Sequence, residues 1–227
     1  MKCTHKLNKI IDNWKGGLDL SANDHIGDFR SLEDYIDEIN EKPEHYMPIS
    51  LDVKNKLLEA NTIYHLRAFA KDIKSIDIYG INFSDVVDQL YVMVFPEETF
   101  IPSDQMVTIF DQIVKRCKYD VTLDINEYRG RDHNMTIHDF IEQVNMFHDE
   151  KEIDDDLAEE IIEADRVISL QMYPDGSVGF YKIYGTDLEE IFYDAHECLD
   201  SNDKDRRSYP YNGDPNHQKY ITQEEEL

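Results

Sequence analysis

Asp149–Tyr184 reads DEKEIDDDLAEEIIEADRVISLQMYPDGSVGFYKIY and carries a helix signal followed by a hairpin signal. In the first half, Ile153, Leu157, Ile161, Ala164 and Ile168 recur at helical steps and draw one apolar stripe. In the second half, Val167–Tyr173 and Ser177–Tyr184 flank Pro174-Asp175-Gly176, a turn sequence, so a β-hairpin is predicted. Thr186 and Glu189 then form a capping box for a last helix with Leu188, Ile191, Phe192, Ala195 and Leu199 inward. A helix-hairpin-helix unit follows, and with it an α+β fold of mixed helices and short antiparallel strands.

Upstream, Leu7–Trp14 is weakly helical and ends at Gly16-Gly17, and a loop through Asp24 and Gly27 leads to Ser31. The Ser31 hydroxyl, with Asp34 at the third position, caps a helix lined by Leu32, Tyr35, Ile36 and Ile39. Pro43 and Pro48 bracket a break, and Leu51 to about Ala70 reads as a longer helix, although Ile63–Phe69 equally fits a strand. Ser75–Tyr79 alternates as a strand, and the apolar run Gln89–Phe95 reads as a buried strand, with Val86 and Val87 ambiguous. Ser103 opens a helix with Met106, Phe110, Ile113, Val114 and Cys117 inward. Tyr119–Tyr128 alternates, with Val121, Leu123 and Ile125 on one face and Asp120, Asp124 and Asn126 on the other. Thr136 with Asp139 begins a helix burying Ile137, Phe140, Ile141, Val144 and Phe147.

The chain has 227 residues and a formal charge of −26, from 49 acidic against 23 basic residues. That excess exceeds what solubility needs and destabilises the compact state by self-repulsion. Such a chain avoids nucleic acid and is drawn to basic clefts. The charge is uneven: residues 134–200 hold 19 acids and 3 bases, whereas residues 1–133 hold 24 and 16. The organisation read from this is an α+β N-terminal region at 1–133, an acidic helix-hairpin-helix region at 134–200, and a polar tail at 201–227, predicted to be disordered.

Asp149–Val167 alone carries ten carboxylates against Lys151 and Arg166. Asp154, Asp155 and Asp156 sit near a helix start, where the macrodipole favours negative charge. The later acids have no such support. Like-charge pairs such as Asp155/Glu159, Asp156/Glu160 and Glu159/Glu163 each cost about 0.2–0.5 kcal/mol. Seven carboxylates from Asp154 to Asp165 occupy about 18 Å of helix. One charge per roughly 2.6 Å falls between one DNA strand and the duplex.

A search for chemistry finds little pattern. The nine histidines form no HExxH and no pair joined to CxxC, and there is no Gly-rich phosphate loop. His133 and His138 lie five apart, which is no ligand spacing, and His196, Glu197 and Cys198 are consecutive and diverge on a helix. From Asp214 to Glu225 an EF-hand would need Gly where Lys219 stands. Cys3, Cys117 and Cys198 make no disulfide framework, which suits a reducing compartment. No run reaches transmembrane length and the N-terminus has no long apolar h-region, so a cytoplasmic protein is expected.

On Asp149, Glu150, Glu152, Asp154, Asp155, Asp156, Glu159, Glu160, Glu163 and Asp165, with Asp187, Glu189, Glu190 and Asp194 on the last helix, the chain resembles the acidic DNA-mimic proteins that phages make early in infection. More narrowly, it resembles host-takeover inhibitors that occupy the DNA channel of bacterial RNA polymerase. The resemblance implies a protein without enzymatic activity, metal or cofactor, acting in the host cytoplasm if phage-encoded. Its partner would be a basic nucleic-acid-binding protein, preferably RNA polymerase, with no direct contact to nucleic acid or membrane. A homodimer is compatible with this. Restriction and CRISPR nucleases offer the same basic groove as alternative targets. Two readings from other classes are an interaction protein whose acidity is incidental, and a small metal-dependent hydrolase using scattered carboxylates.

Overall fold

A computed structural model describes residues 2–27, 30–70, 73–99, 101–103, 108–117, 119–131, 135–146, 153–174 and 181–200. Six strands form one antiparallel sheet: β1 (Gly17–Ala22), β2 (Tyr64–Ala70), β3 (Ile73–Gly80), β4 (Val121–Ile125), β5 (Ile168–Met172) and β6 (Tyr181–Gly185), in the order β3-β2-β1-β4-β5-β6. The fold is α+β. The helices are α1 (Cys3–Asn13), α2 (Asp24–Gly27), α3 (Leu32–Glu41), α4 (Leu51–Ala60), α5 (Phe83–Val94), α6 (Ile109–Arg116), α7 (Tyr128–Arg131), α8 (Ile137–Met146), α9 (Asp155–Ala164) and α10 (Leu188–Asp200). None of the described helices is long and apolar enough to cross a membrane.

Pleat alternation splits each strand between two faces. Leu18, Leu20 and Ala22 of β1, Leu66 and Ala68 of β2, Leu123 of β4 and Leu170 of β5 enter the main core, which α1, α5, α6 and α10 cover. Phe83, Phe110 and Phe192 meet there with ring centroids 4.9–5.8 Å apart. The opposite face is polar along its middle and is capped by two smaller clusters. One, from α3 and α4, rests on Tyr79; the other, from α8 and α9, rests on Tyr184. The regions separated at residue 133 on charge therefore share one sheet, since β4 pairs with β5 across that boundary.

Several sequence expectations hold and several fail for definable reasons. Ser31 caps α3 by accepting from Asp34 N, and the Thr136 hydroxyl accepts from Asp139 N at 3.2 Å. The β5–β6 pairing realises the hairpin, although 175–180, including Asp175-Gly176, lie outside the described residues. The loop expected between Gly17 and Asp24 is instead β1, paired to both β2 and β4. The helix expected to Ala70 stops at Ala60, where Asn61 adopts the left-handed conformation, and Ile63–Phe69 takes the strand option. Gln89–Phe95 lies in α5 and its cap, not a strand. Asn82 caps it, Val86, Val87, Leu90 and Tyr91 face inward, and Val92 and Met93 remain 43% and 55% exposed. Thr108 rather than Ser103 caps α6, while Ser103 bonds Asp88. The expectations for Met106, Phe147 and His133, and for the whole 201–227 tail, lie outside the described residues.

The burial of β1 and of α5 gives a direct test. Leu20→Ala opens a cavity in the central strand and should cost about 2–5 kcal/mol in urea unfolding. Met93→Ala should change stability by less than about 0.5 kcal/mol, because only a strand reading would bury it.

Candidate functional site: an acidic sheet edge and a polar sheet face

The acidic residues converge on the β6 edge of the sheet from both sides. α9 lies on the polar side, where Ile153 and Ile161 are fully buried with Tyr184 in the smaller cluster. α10 lies on the apolar side, where Ile191, Phe192 and Ala195 join the main core. The two meet where the Thr186 hydroxyl donates to Glu160. Thr186 was expected to cap the last helix. Asp187 caps it instead, accepting from Glu189 N at 2.7 Å and Glu190 N at 3.0 Å.

Within this surface the acids do different work. Asp154 caps α9, accepting from Leu157 N at 2.9 Å, so the helix starts where Asp154–Asp156 were expected to lie, near its N-terminus. Ala164 is exposed, and Ala158 and Ile162 share the inward face in its place. Ile168 belongs to β5. Asp165 ends the helix at φ 46° and is held by Arg129, whose Nη2 lies 2.6 Å from its Oδ2, and by the Tyr128 hydroxyl at 3.1 Å. Its side chain is still 75% exposed, so the pair lies at the surface. Glu189 accepts from Thr4 at 3.2 Å. Asp194 is half-buried, and burial together with the nearby Glu197 raises its pKa. Asp155, Asp156, Glu159, Glu160, Glu163 and Glu190 are exposed. Asp149, Glu150 and Glu152 lie outside the described residues.

The polar face of the sheet holds a second group that sequence reasoning missed. By register, Asp77, Arg67, Asp19, Asp124, Ser169 and Tyr184 form one row, and Tyr79, His65, Ser21, Thr122, Gln171 and Lys182 form the next. His65 Nε2 and Arg67 Nε lie 2.9 and 2.7 Å from Asp77 Oδ1, and Met47 N donates to Oδ2 at 2.9 Å. The imidazole stacks on Tyr79 at 4.6 Å, and the guanidinium sits 4.7 Å above the Tyr46 ring. Burial acts to raise the Asp77 pKa, but the bonds from His65, Arg67 and Met47 outweigh it and hold it at about 2. Ser21 stands opposite His65, yet its hydroxyl is engaged by Asp24. The arrangement is a charge-compensated polar core rather than a nucleophile relay. A helix through residues 63–70 would send His65 and Arg67 about 200° apart, which hides the group from a helical reading.

Asp24 is the opposite case. It is half-buried beside Tyr35 of α3, accepts from the Tyr35 hydroxyl at 3.3 Å, and has a raised pKa because desolvation, with Asp120 and Asp19 nearby, outweighs the Ser21 bond and His65. Adjacent His25 is buried and its pKa lowered for the same reason. Burial also pushes the Cys3, Cys117 and Cys198 thiols to about 12, so none is poised as a nucleophile. Among the described residues no three His, Cys, Asp or Glu side chains gather as metal ligands. No protein family model, curated protein or solved structure matches this chain.

The two aspartates should respond to pH in opposite senses. Asp77 has a depressed folded pKa, so its contribution of about 2 kcal/mol is present above pH 3.8 and lost as pH falls toward 2. Asp77→Asn should remove that part of the acid slope and destabilise the protein at pH 7. Asp24 has a raised folded pKa, so its ionisation opposes folding at neutral pH. Asp24→Asn should raise the melting temperature at pH 7, with the gain fading below pH 3.8, where both states are protonated. Thermal melts of parent and variants from pH 2 to 8 read both effects.

Proposed function

We propose that this protein is a non-enzymatic acidic mimic of a nucleic-acid backbone. It occupies the basic channel of a nucleic-acid enzyme, with bacterial RNA polymerase the preferred target. One observation carries the reading: the α9 acids from Asp154 to Glu163 all face solvent while Ile153 and Ile161 anchor the helix. A helix is a rigid support, so its charges are held at fixed spacing and pay little entropy on docking. A basic channel evolved for phosphates meets such a row as it meets a strand, and competition follows from occupancy alone. Glu190 extends the row across the β6 edge, while Asp154 and Asp187 also cap helices and exposed Asp165 also pairs with Arg129.

A second reading is favoured by where the charge lies. β6 is an edge strand of the described sheet, and acids on both sides of it discourage edge-to-edge pairing between copies.

One variant separates the two. Asp156→Asn, Glu159→Gln, Glu163→Gln and Glu190→Gln together remove exposed charge and relieve the α9 repulsion, so the fold should be retained. The mimic reading expects binding to purified bacterial RNA polymerase to weaken more than about tenfold at low salt, with a shallower salt dependence and weaker inhibition of transcription in vitro. Unchanged polymerase binding together with new self-association would support edge protection and sink the mimic reading. A purified sample should show no nuclease or phosphatase turnover with Mg²⁺, Mn²⁺ or Zn²⁺. Activity abolished by changing one carboxylate would overturn the non-enzymatic assignment.

A further inference from the structure

The connector between α3 and α4 is fastened to the outer strand of the sheet by a reciprocal pair of bonds. Met47 N donates to Asp77 Oδ2 at 2.9 Å, and Asp77 N donates in return to Met47 Sδ at 3.5 Å. β3 is the last strand on its side of the described sheet, so this Asp77 N–H is one turned away from β2. An outward N–H on an edge strand invites pairing, and here a thioether covers it. The neighbouring residues complete a strap over 42–50: the His45 carbonyl accepts from Arg67 Nη2 at 2.8 Å, and the Tyr46 ring packs on the Arg67 guanidinium. At the base of the same excursion, Asn23 Oδ1 accepts from Ile63 N at 3.1 Å and from the Thr62 hydroxyl at 2.9 Å, so residues 24–61 leave and rejoin the sheet through a closed clasp. The sulfur remains within reach of solvent, because Met47 is 40% exposed while the Asp77 side chain beneath it is 1% exposed.

We propose that Met47 is a redox-sensitive fastening, and that its oxidation by a peroxide releases the 42–50 strap from β3. A sulfur lone pair attacks one peroxide oxygen, the O–O bond breaks as the S–O bond forms, and the departing hydroxide takes up the remaining proton and leaves as water. Sulfur loses two electrons and the peroxide gains them. Either epimer of the sulfoxide ends the bond to Asp77. On the lone pair facing Asp77, an N–H···O contact needs about 2.9 Å by itself. The sulfur stands only 3.5 Å from that nitrogen, which leaves less than a covalent bond length for S–O. On the solvent-side lone pair, the added oxygen draws density from sulfur, which then turns partial positive charge toward the N–H. Residue 47 must swing outward, so its own N–H leaves Asp77, and the β3 edge and Arg67 are uncovered. The Asn23 clasp keeps the opening local. β3 and β6 are opposite ends of the sheet, so this device is independent of the proposed function.

Hydrogen–deuterium exchange of the full chain, read by mass spectrometry before and after hydrogen peroxide treatment, tests this. With Met47 converted to the sulfoxide, peptides covering 42–50 and 73–80 should exchange at least about fivefold faster, while those covering α10 should not change. Met93 and Met146 are 55% and 68% exposed and oxidise under the same treatment, so the comparison is Met47→Leu. That variant keeps an apolar side chain of similar volume and cannot be oxidised at this position. Peroxide should leave its 42–50 and 73–80 peptides unchanged. Methionine sulfoxide reductases of both epimer specificities, with a dithiol, should return the oxidised parent to slow exchange. Unchanged exchange in the oxidised parent overturns the proposal, as does an equal response in Met47→Leu. So does fast exchange that persists after full reduction, or a Met47 thioether that survives peroxide able to convert Met146 completely.

Discussion

The two-residue alternation of β1 is the constraint on which the rest of the molecule depends. Leu18, Leu20 and Ala22 point into the main core, and Asp19 and Ser21 point the other way. Because β1 lies between β2 and β4, its register aligns both neighbours, and through them β3, β5 and β6. A slip of one residue would exchange the faces, burying Asp19 under α1 and α5 and exposing three apolar side chains. Gly17 opens the strand where any side chain would be crowded, since an added Cβ would stand 2.8 Å from the Asn126 carbonyl and 2.3 Å from the Phe69 ring.

Two solutions to buried polarity follow from that alternation. On the polar face, Asp77 is compensated so fully that its carboxylate is strongly acidic. Asp24, under α3, is compensated poorly and stores an unfavourable ionisation at neutral pH. In the main core the same problem appears as Lys6, fully buried yet bonded to Asp88 and the Ile101 carbonyl and placed 5.5 Å from the Tyr91 ring. Each buried charge thereby fixes a segment that apolar packing alone would leave under-specified, and Lys6 ties the 101–103 segment to α1.

The acidic surface is best understood from its geometry rather than its total. Two helices on opposite faces of one sheet bring their carboxylates to the same edge, and some of those carboxylates also serve the fold. Asp165 pairs with Arg129 at the surface, and Asp154 and Asp187 satisfy helix N-termini. The row on α9 and its extension on α10 are anchored from beneath by Ile153, Ile161 and Ile191. That row is what any basic partner would meet.

Neighbours within a few residues are enough for the α+β class, the β5–β6 pairing, the Ser31 and Thr136 caps and the inward Leu157 and Ile161 of α9, and these were legible in the sequence. The remainder depended on contacts between distant segments. QLYVMVF suits a buried strand or a helix equally until its surroundings choose, and Asn82 with the partners of Val86 and Leu90 chose helix. GLDLSA is too short and too polar to announce a strand, and it becomes one because β2 and β4 supply hydrogen bonds on both edges. The His65–Asp77–Arg67 cluster spans two strands and was invisible while residues 51–70 could be one helix. The acids were legible residue by residue, but which of them also bond within the chain depends on Arg129, Thr4 and Thr186, contributed from distant parts of the sequence.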